Sequence, residues 1–171
     1  MNIFYIDERP INAARAHCDQ HCVKMILETA QLLSTAHREL DGDEYADARG
    51  LYKATHKNHP SAIWVREGQE NYRWAYLLLV ELCIEYGHRY GKTHKTERMG
   101  LLDALRVVPA NISADTPFTD PPQCFGEGND HLKGDDTVEA YRRYYLSKAN
   151  TMKKPPRWRH TEPPAWWNVS H

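Results

Sequence analysis

The sequence has 171 residues, a length typical of one globular domain. Its 22 Lys and Arg residues nearly balance its 23 Asp and Glu residues, so the formal net charge is -1. That balance excludes a uniformly basic nucleic-acid-binding protein, although it allows a local basic patch. No apolar run approaches the ~18 residues of a membrane span, and acidic residues follow the start too closely for a signal peptide. We therefore expect a soluble, cytoplasmic protein with no membrane partner, whose 4 cysteines are free thiols.

Helical spacing of the apolar residues predicts a mainly α fold, a compact single domain of about four helices. A short extended segment at residues 2–6 precedes the helices, which are predicted over residues 10–40, 60–90, 96–105 and 135–150. Gly68 is a candidate break in the second helix, and Gly91 a candidate end for it. Asp135 or Asp136 fits the N-cap of the last helix.

The connections differ in composition. Residues 41–50 are acidic and predict a solvated loop. Residues 106–134 hold four prolines and three glycines, which exclude a regular element and favour a functional or mobile loop. Residues 1–150 thus form the predicted domain, and residues 151–171 a basic, Pro- and Trp-rich tail that is extended and packs on the domain or extends from it.

Four polar residues repeat at helical spacing in the first predicted helix: His17, His21, Lys24 and Glu28. One interpretation is an ordinary solvent-facing side with a Lys24–Glu28 ion pair. The other is a cleft wall, where a carboxylate and two imidazoles serve proton transfer or stabilise a developing cation. The sequence leaves both open.

A metal site is a third interpretation of the same residues. His17 and His21 have the spacing of helical zinc ligands, so a metal-dependent hydrolase using them and a distant histidine stays an alternative. However, the HEXXH signature and any CXXC pair are absent. We therefore predict no metal and no cofactor.

Several residues are candidates for binding nucleic acid. His56 and His59 flank the start of the second predicted helix, where a phosphate could be bound. Residues 141–160 hold seven Lys or Arg residues and no acid, with aromatic residues interleaved. Such a pattern favours contact with phosphates and unpaired bases. The predicted contacts, besides Lys24, are Arg143, Lys153, Lys154, Arg157, Trp158 and Arg159.

The run Asp19-Gln20-His21, with Glu28 seven residues after the histidine, resembles the first helix of the phage pyrimidine-dimer DNA glycosylases of the endonuclease V type. Three further stretches look similar to that family: residues 1–6, His59-Pro60 with the helix that ends in residues 85–91, and, more weakly, Pro156-Arg157-Trp158. The main matches cover about residues 1–95. The resemblance implies a compact, mostly helical enzyme of viral source that acts on DNA.

The resemblance also implies a mechanism. Such enzymes attack the sugar C1′ with the α-amino group of the chain, which would belong here to Met1, or to Asn2 after removal of Met1. Glu28 would stabilise the sugar cation and assist proton transfer, with His21 and His17 beside it. We therefore expect a DNA glycosylase, with or without a lyase step, for a damaged or modified pyrimidine. The alternative of a non-catalytic nucleic-acid-binding module stays open, as does the oligomeric state.

Overall fold

Eight α-helices form the part of the chain that the computed structural model describes, residues 2–168. They are α1 Pro10–Ala16, α2 Asp19–Asp41, α3 Asp43–Ala48, α4 Pro60–Glu67, α5 Gln69–Tyr90, α6 Lys95–Arg98, α7 Leu101–Leu105 and α8 Thr137–Ser147. Short 3-10 helices lie at Asp130–Leu132 and Lys148–Asn150. Residues 2–168 contain no β-strand, so the prediction of a mainly α fold is confirmed. The expected number of about four helices was too low.

The predicted helix over residues 10–40 is divided into α1 and α2, so that prediction was wrong. The chain is extended at His17 and Cys18. The backbone N–H of Cys18 donates to the Tyr145 hydroxyl at 2.8 Å, instead of continuing a helix. His17 therefore lies between two helices, and the four-residue polar stripe does not form on one helix.

The second predicted helix is divided at Gly68, as its sequence indicated. A Cβ atom at this position would lie 2.9 Å from the Cβ of Thr116, closer than two carbon atoms pack. Because glycine has no Cβ atom, the long loop at Thr116 can lie directly against the backbone of Gly68. Further along, α5 ends at Gly91, whose left-handed backbone (φ of 63°) is the usual helix stop. Asp136 caps α8 by accepting from the Glu139 N–H at 3.1 Å.

The acidic segment predicted as a solvated loop contains helix α3 instead. Its Asp43 and Asp47 carboxylates lie 3.0 and 2.9 Å from the guanidinium of Arg38. Arg38 is buried, and it also donates to the carbonyl of Leu51 at 3.0 Å. The acids therefore compensate a buried charge, which would otherwise carry a large desolvation cost.

Helix α2 lies at the centre of the fold and packs against α5 and α4. The N-terminal segment, residues 2–6, is not helical and is buried, with Ile3 and Ile6 completely enclosed. Side chains rather than a strand ladder bind parts of its backbone, as where Arg142 Nε donates to the Ile6 carbonyl at 3.0 Å.

The described part of the tail packs on the helices. The N–H of Asp19 donates to the Arg157 carbonyl at 2.7 Å, and the indole N–H of Trp158 donates to the Ala16 carbonyl at 3.0 Å. His88 contacts the carbonyl of His160 through Nε2 at 2.8 Å. The tail thus covers the turn between α1 and α2.

Arg89 is buried, although it lies in the last turn of α5 and carries a charge. Its guanidinium donates to the carbonyls of Arg15 and His17 at 3.1 and 2.7 Å. It also binds the carboxylates of Asp19 at 3.1 Å and Glu85 at 3.2 Å. One side chain therefore joins the end of α1, the beginning of α2 and helix α5.

We expect Arg89→Met to lower the free energy of unfolding by about 3–5 kcal/mol, because it leaves buried carboxylates and carbonyls without their donor. Urea denaturation at neutral pH measures this. Arg73→Met is the matched control, since Arg73 lies on the same helix, is exposed and makes only an i,i+3 pair with Glu70. It should change stability by less than about 0.5 kcal/mol. Equal effects of the two substitutions would contradict the role given to Arg89.

Candidate active site

A cavity of about 640 Å³ opens between α2, the start of α4, the long loop and the end of α8. We call it the Glu28 cavity. Its volume lies within the range of small-molecule and nucleotide sites. The lining residues are Asn2, Phe4, Lys24, Met25, Glu28, His59, Pro60, Gln123, Cys124, Phe125, Gly126, Glu127, Asp130, Lys133, Tyr144 and Lys148.

Four residues predicted from the sequence meet in this cavity: Asn2, Lys24, Glu28 and His59. Lys24 and Glu28 are one turn apart on α2, and their charged atoms are 3.8 Å apart. The Glu28 side chain is only 15% exposed, whereas that of Lys24 is 67% exposed. The carboxylate therefore lies in a partly dry site on a rigid helix, where its charge acts more strongly than in water.

Asn2 is fixed by its side chain. Its Nδ2 donates to the Cys124 carbonyl at 2.7 Å, and its Oδ1 accepts from the Tyr141 hydroxyl at 3.1 Å. The first bond joins the beginning of the chain to the long loop, and the second joins it to α8. Met1, the other predicted nucleophile, lies outside the described residues.

Aromatic rings form one wall of the Glu28 cavity. Phe125 stacks on Tyr144 with ring centroids 4.5 Å apart, and Phe4 lies beside Tyr144 at 6.3 Å in a nearly parallel plane. The ammonium of Lys148 lies 4.6 Å from the Tyr144 ring centre and 5.9 Å from that of Phe4. Phe4 and Phe125 are only 5% and 1% exposed, whereas Tyr144 is partly exposed, so the wall presents mainly one ring to the cavity, with the Lys148 ammonium over it. An aromatic ring and a positive charge are groups to which a nucleotide can bind.

His21 supports this wall from behind. Its ring stacks on Phe4 at 4.9 Å, and its Nδ1 lies 2.8 Å from the Tyr145 hydroxyl. Since that hydroxyl accepts from Cys18, its own proton is available to His21. Burial, with the charges of His17, Lys148 and Lys24, lowers the pKa of His21 to about 3. His21 is therefore neutral at pH 7, which disfavours the proton shuttle predicted for it.

His17 does not line the Glu28 cavity. It is completely buried, and its Nδ1 donates to the Ala13 carbonyl at 2.6 Å. Burial lowers the pKa of His17 to about 4, so it is neutral as well. Among residues 2–168, no group of three or more His, Cys, Asp or Glu side chains could hold a metal ion. The metal-dependent alternative therefore has no ligand group in this part of the chain.

The two other predicted histidines, His59 and His56, differ in whether they line the Glu28 cavity. His59 accepts from the Ser61 N–H at 3.1 Å and caps α4, where Pro60 occupies the first helical position. Burial lowers the pKa of His59, so a neutral ring lines the cavity. His56 is exposed, has a left-handed backbone and contacts Thr55 at 2.7 Å. It does not line the Glu28 cavity.

The residues predicted to contact nucleic acid in the last part of the chain lie in different surroundings. Arg143 donates to the Leu132 carbonyl at 3.1 Å and holds the loop segment that carries Asp130 and Lys133. Trp158 is half-buried and packs against Trp167 at 5.0 Å, so its ring is engaged within the protein. The four remaining cations are exposed on the tail: Lys153, Lys154, Arg157 and Arg159.

Sequence reasoning missed several cavity residues. Lys133, Phe125 and Glu127 belong to the long loop, whose composition pointed to function without indicating these three positions. Tyr144 and Lys148 fall within the basic and aromatic run at residues 141–160, which was their only signal. Phe4 belongs to the short extended segment at residues 2–6, where no feature of the sequence indicated a cavity residue.

Comparison with protein-family models, curated proteins and solved structures finds no match to this chain. Over the described residues, none of the helices combines the length and the apolar character that crossing a membrane requires.

The two neutral histidines predict a pH dependence of stability. In the unfolded chain both rings have pKa values near 6.5, and in the folded protein near 4 and 3. The unfolded state therefore binds more protons below about pH 6.5, and stability falls as the pH falls from there. We expect His21→Gln to reduce the slope of unfolding free energy against pH by up to about 1.4 kcal/mol per pH unit between pH 6 and 4.

Urea denaturation at several pH values measures these slopes. His88→Gln is the control, because His88 is exposed and its hydrogen bond goes to the backbone carbonyl of His160. A His21→Gln slope equal to that of the unchanged protein would show that His21 ionises normally.

Proposed function

We propose that this protein is a DNA glycosylase, with an associated lyase step, that acts on a damaged or modified pyrimidine nucleotide in the Glu28 cavity. The observation that carries the proposal is one cavity that combines a shielded carboxylate, an aromatic wall, three lysines and the residue next to the chain's first amine. These are the groups needed to hold a nucleotide and to stabilise a sugar cation.

The proposed reaction uses the α-amino group as nucleophile. An α-amine has a pKa of about 7.7–8.0, so a useful fraction is uncharged at neutral pH. Its nitrogen bonds to C1′ while the bond from C1′ to the base breaks. The base leaves with that electron pair and takes up a proton. Opening of the sugar ring and loss of the amine protons give an imine.

In the lyase step, loss of a C2′ proton breaks the bond between C3′ and its oxygen, and the 3′ phosphate leaves. Glu28 has two roles in this scheme. Its negative charge stabilises the cation that develops on the sugar, and its oxygens accept or return the protons that move.

The remaining cavity residues bind the nucleotide. A base turned out of the helical stack needs flat surface, for which the partly exposed Tyr144, backed by the buried rings of Phe4 and Phe125, is the candidate. The cavity lining holds three lysines, Lys24, Lys133 and Lys148, and three acids, Glu28, Glu127 and Asp130, so its formal net charge is zero. The lysines would hold the flanking phosphates.

The second candidate is a nucleic-acid-binding module without catalysis. The same lysines and rings favour it, because they would bind a nucleotide whether or not a reaction follows. The largely shielded position of the Glu28 side chain, which is 15% exposed, favours the enzyme. A carboxylate in a phosphate-binding cavity opposes binding of the ground state, and it is useful where positive charge develops during a reaction.

We expect Glu28→Gln to lower the single-turnover rate of base release by about a hundredfold or more while DNA affinity is kept. The substrates are oligonucleotides that carry ultraviolet damage, oxidised or otherwise modified pyrimidines, or an abasic site. Base release and strand cleavage are followed separately, so that a glycosylase without lyase activity is recognised.

Glu39→Gln is the matched control on the same helix, because Glu39 is exposed near the end of α2. It should leave the rate unchanged. Binding of DNA with no product from any substrate, unaffected by Glu28→Gln, would overturn the enzyme proposal and favour the binding module.

A further inference from the structure

A second cavity, of about 470 Å³, lies where the tail crosses the beginning of α2, and we call it the tail cavity. It is lined by Asp19, Gln20, Tyr90, Lys154, Pro155, Pro156 and Arg157. The two prolines and the tyrosine give it stiff apolar walls, and the lysine and arginine give it positive charge. This combination suits a phosphate together with the sugar attached to it.

The acid in the tail cavity is already compensated. The Asp19 carboxylate accepts from Arg89 at 3.1 Å and from the backbone N–H of Arg159 at 2.9 Å. The cationic side chains of Lys154 and Arg157 are exposed, and no salt bridge joins them to another described residue within 4.0 Å. A bound anion could therefore contact both cations without breaking a salt bridge within the described part of the protein.

One exposed side of α2 leads from the tail cavity to the Glu28 cavity. Gln20 lines the first, Lys24 and Glu28 line the second, and successive members are one helical turn apart. Leu27, 40% exposed, lies between them on the same surface. With a rise of about 1.5 Å per residue, Gln20 and Glu28 are about 12 Å apart along the helix axis.

We propose that the tail cavity binds the backbone phosphate and sugar of a flanking nucleotide on the DNA strand whose reacting nucleotide occupies the Glu28 cavity. This inference rests on the proposed function. A stacked strand advances about 3.4 Å per nucleotide, so about 12 Å corresponds to three or four nucleotides. The substrate is then a strand with at least that flank on one side, rather than a free nucleotide.

The test is equilibrium binding of fluorescent single-stranded oligonucleotides with one abasic site. In one series, the strand on the 5′ side of the abasic site is lengthened from zero to six nucleotides. In a second series, the strand on the 3′ side is lengthened in the same way. For the unchanged protein, affinity should rise when the flank on one side reaches three or four nucleotides. For the double variant Lys154→Ala/Arg157→Ala that rise should be lost.

Salt dependence gives a second readout that a general loss of structure does not imitate. Loss of this phosphate contact should reduce the slope of log K against log salt by about 0.7 on single strands and about 0.9 on duplex DNA. The double variant should keep the hydrogen bond that attaches the tail to α2, because the Asp19 N–H donates to the backbone carbonyl of Arg157 and not to its side chain.

Lys92→Ala is the matched control, since Lys92 is exposed, lies just after the end of α5 and is outside the tail cavity. It should keep the rise in affinity. An equal loss with Lys92→Ala would mean diffuse attraction by surface charge and would overturn the proposal, as would a flank effect that the double variant retains. Base release without any effect of flank length would overturn only the proposal for the tail cavity. An effect of flank length without base release or strand cleavage would overturn only the enzyme proposal.

Discussion

The bridge made by the buried Arg89 guanidinium is the interaction on which the arrangement of the helices depends. It joins the last carbonyls of α1 to the first carboxylate of α2 and to α5. The break between α1 and α2 would otherwise leave carbonyl groups buried without donors, which is costly. Because α2 is fixed at this end, the direction of its exposed side is fixed as well, and with it the position of Glu28.

The Glu28 cavity follows from that constraint together with the buried N-terminal segment. Segment 2–6 passes through the core and brings Phe4 onto the stacked His21 ring and Asn2 onto the loop. The neutral histidines stiffen this region without adding charge. Glu28, the carboxylate of the proposed reaction, is therefore carried by a helix, and such fixed placement is the condition for stabilising a transition state rather than a substrate.

The sequence predicted the helical class, the break at Gly68, the cap at Asp135 or Asp136 and, as one of its interpretations of the polar stripe, the Lys24–Glu28 ion pair. Each is encoded locally, by spacing, by glycine or by a capping side chain. The break between α1 and α2 could not be predicted, because it depends on Tyr145 and Arg89, which are distant in the chain. The aromatic wall and Lys148 were missed for the same reason: only the folded chain brings the long loop and α8 to Asn2.

Borohydride trapping tests the central claim most directly. The protein, with no tag before its first residue, is incubated with DNA that carries an abasic site or the modified pyrimidine, and borohydride reduces any imine to a stable bond. Peptide mass spectrometry then locates the attached sugar. The account predicts a covalent adduct on the first α-amino group, formed far more slowly by Glu28→Gln. An adduct only on a lysine, or DNA bound with no adduct at all, would contradict it.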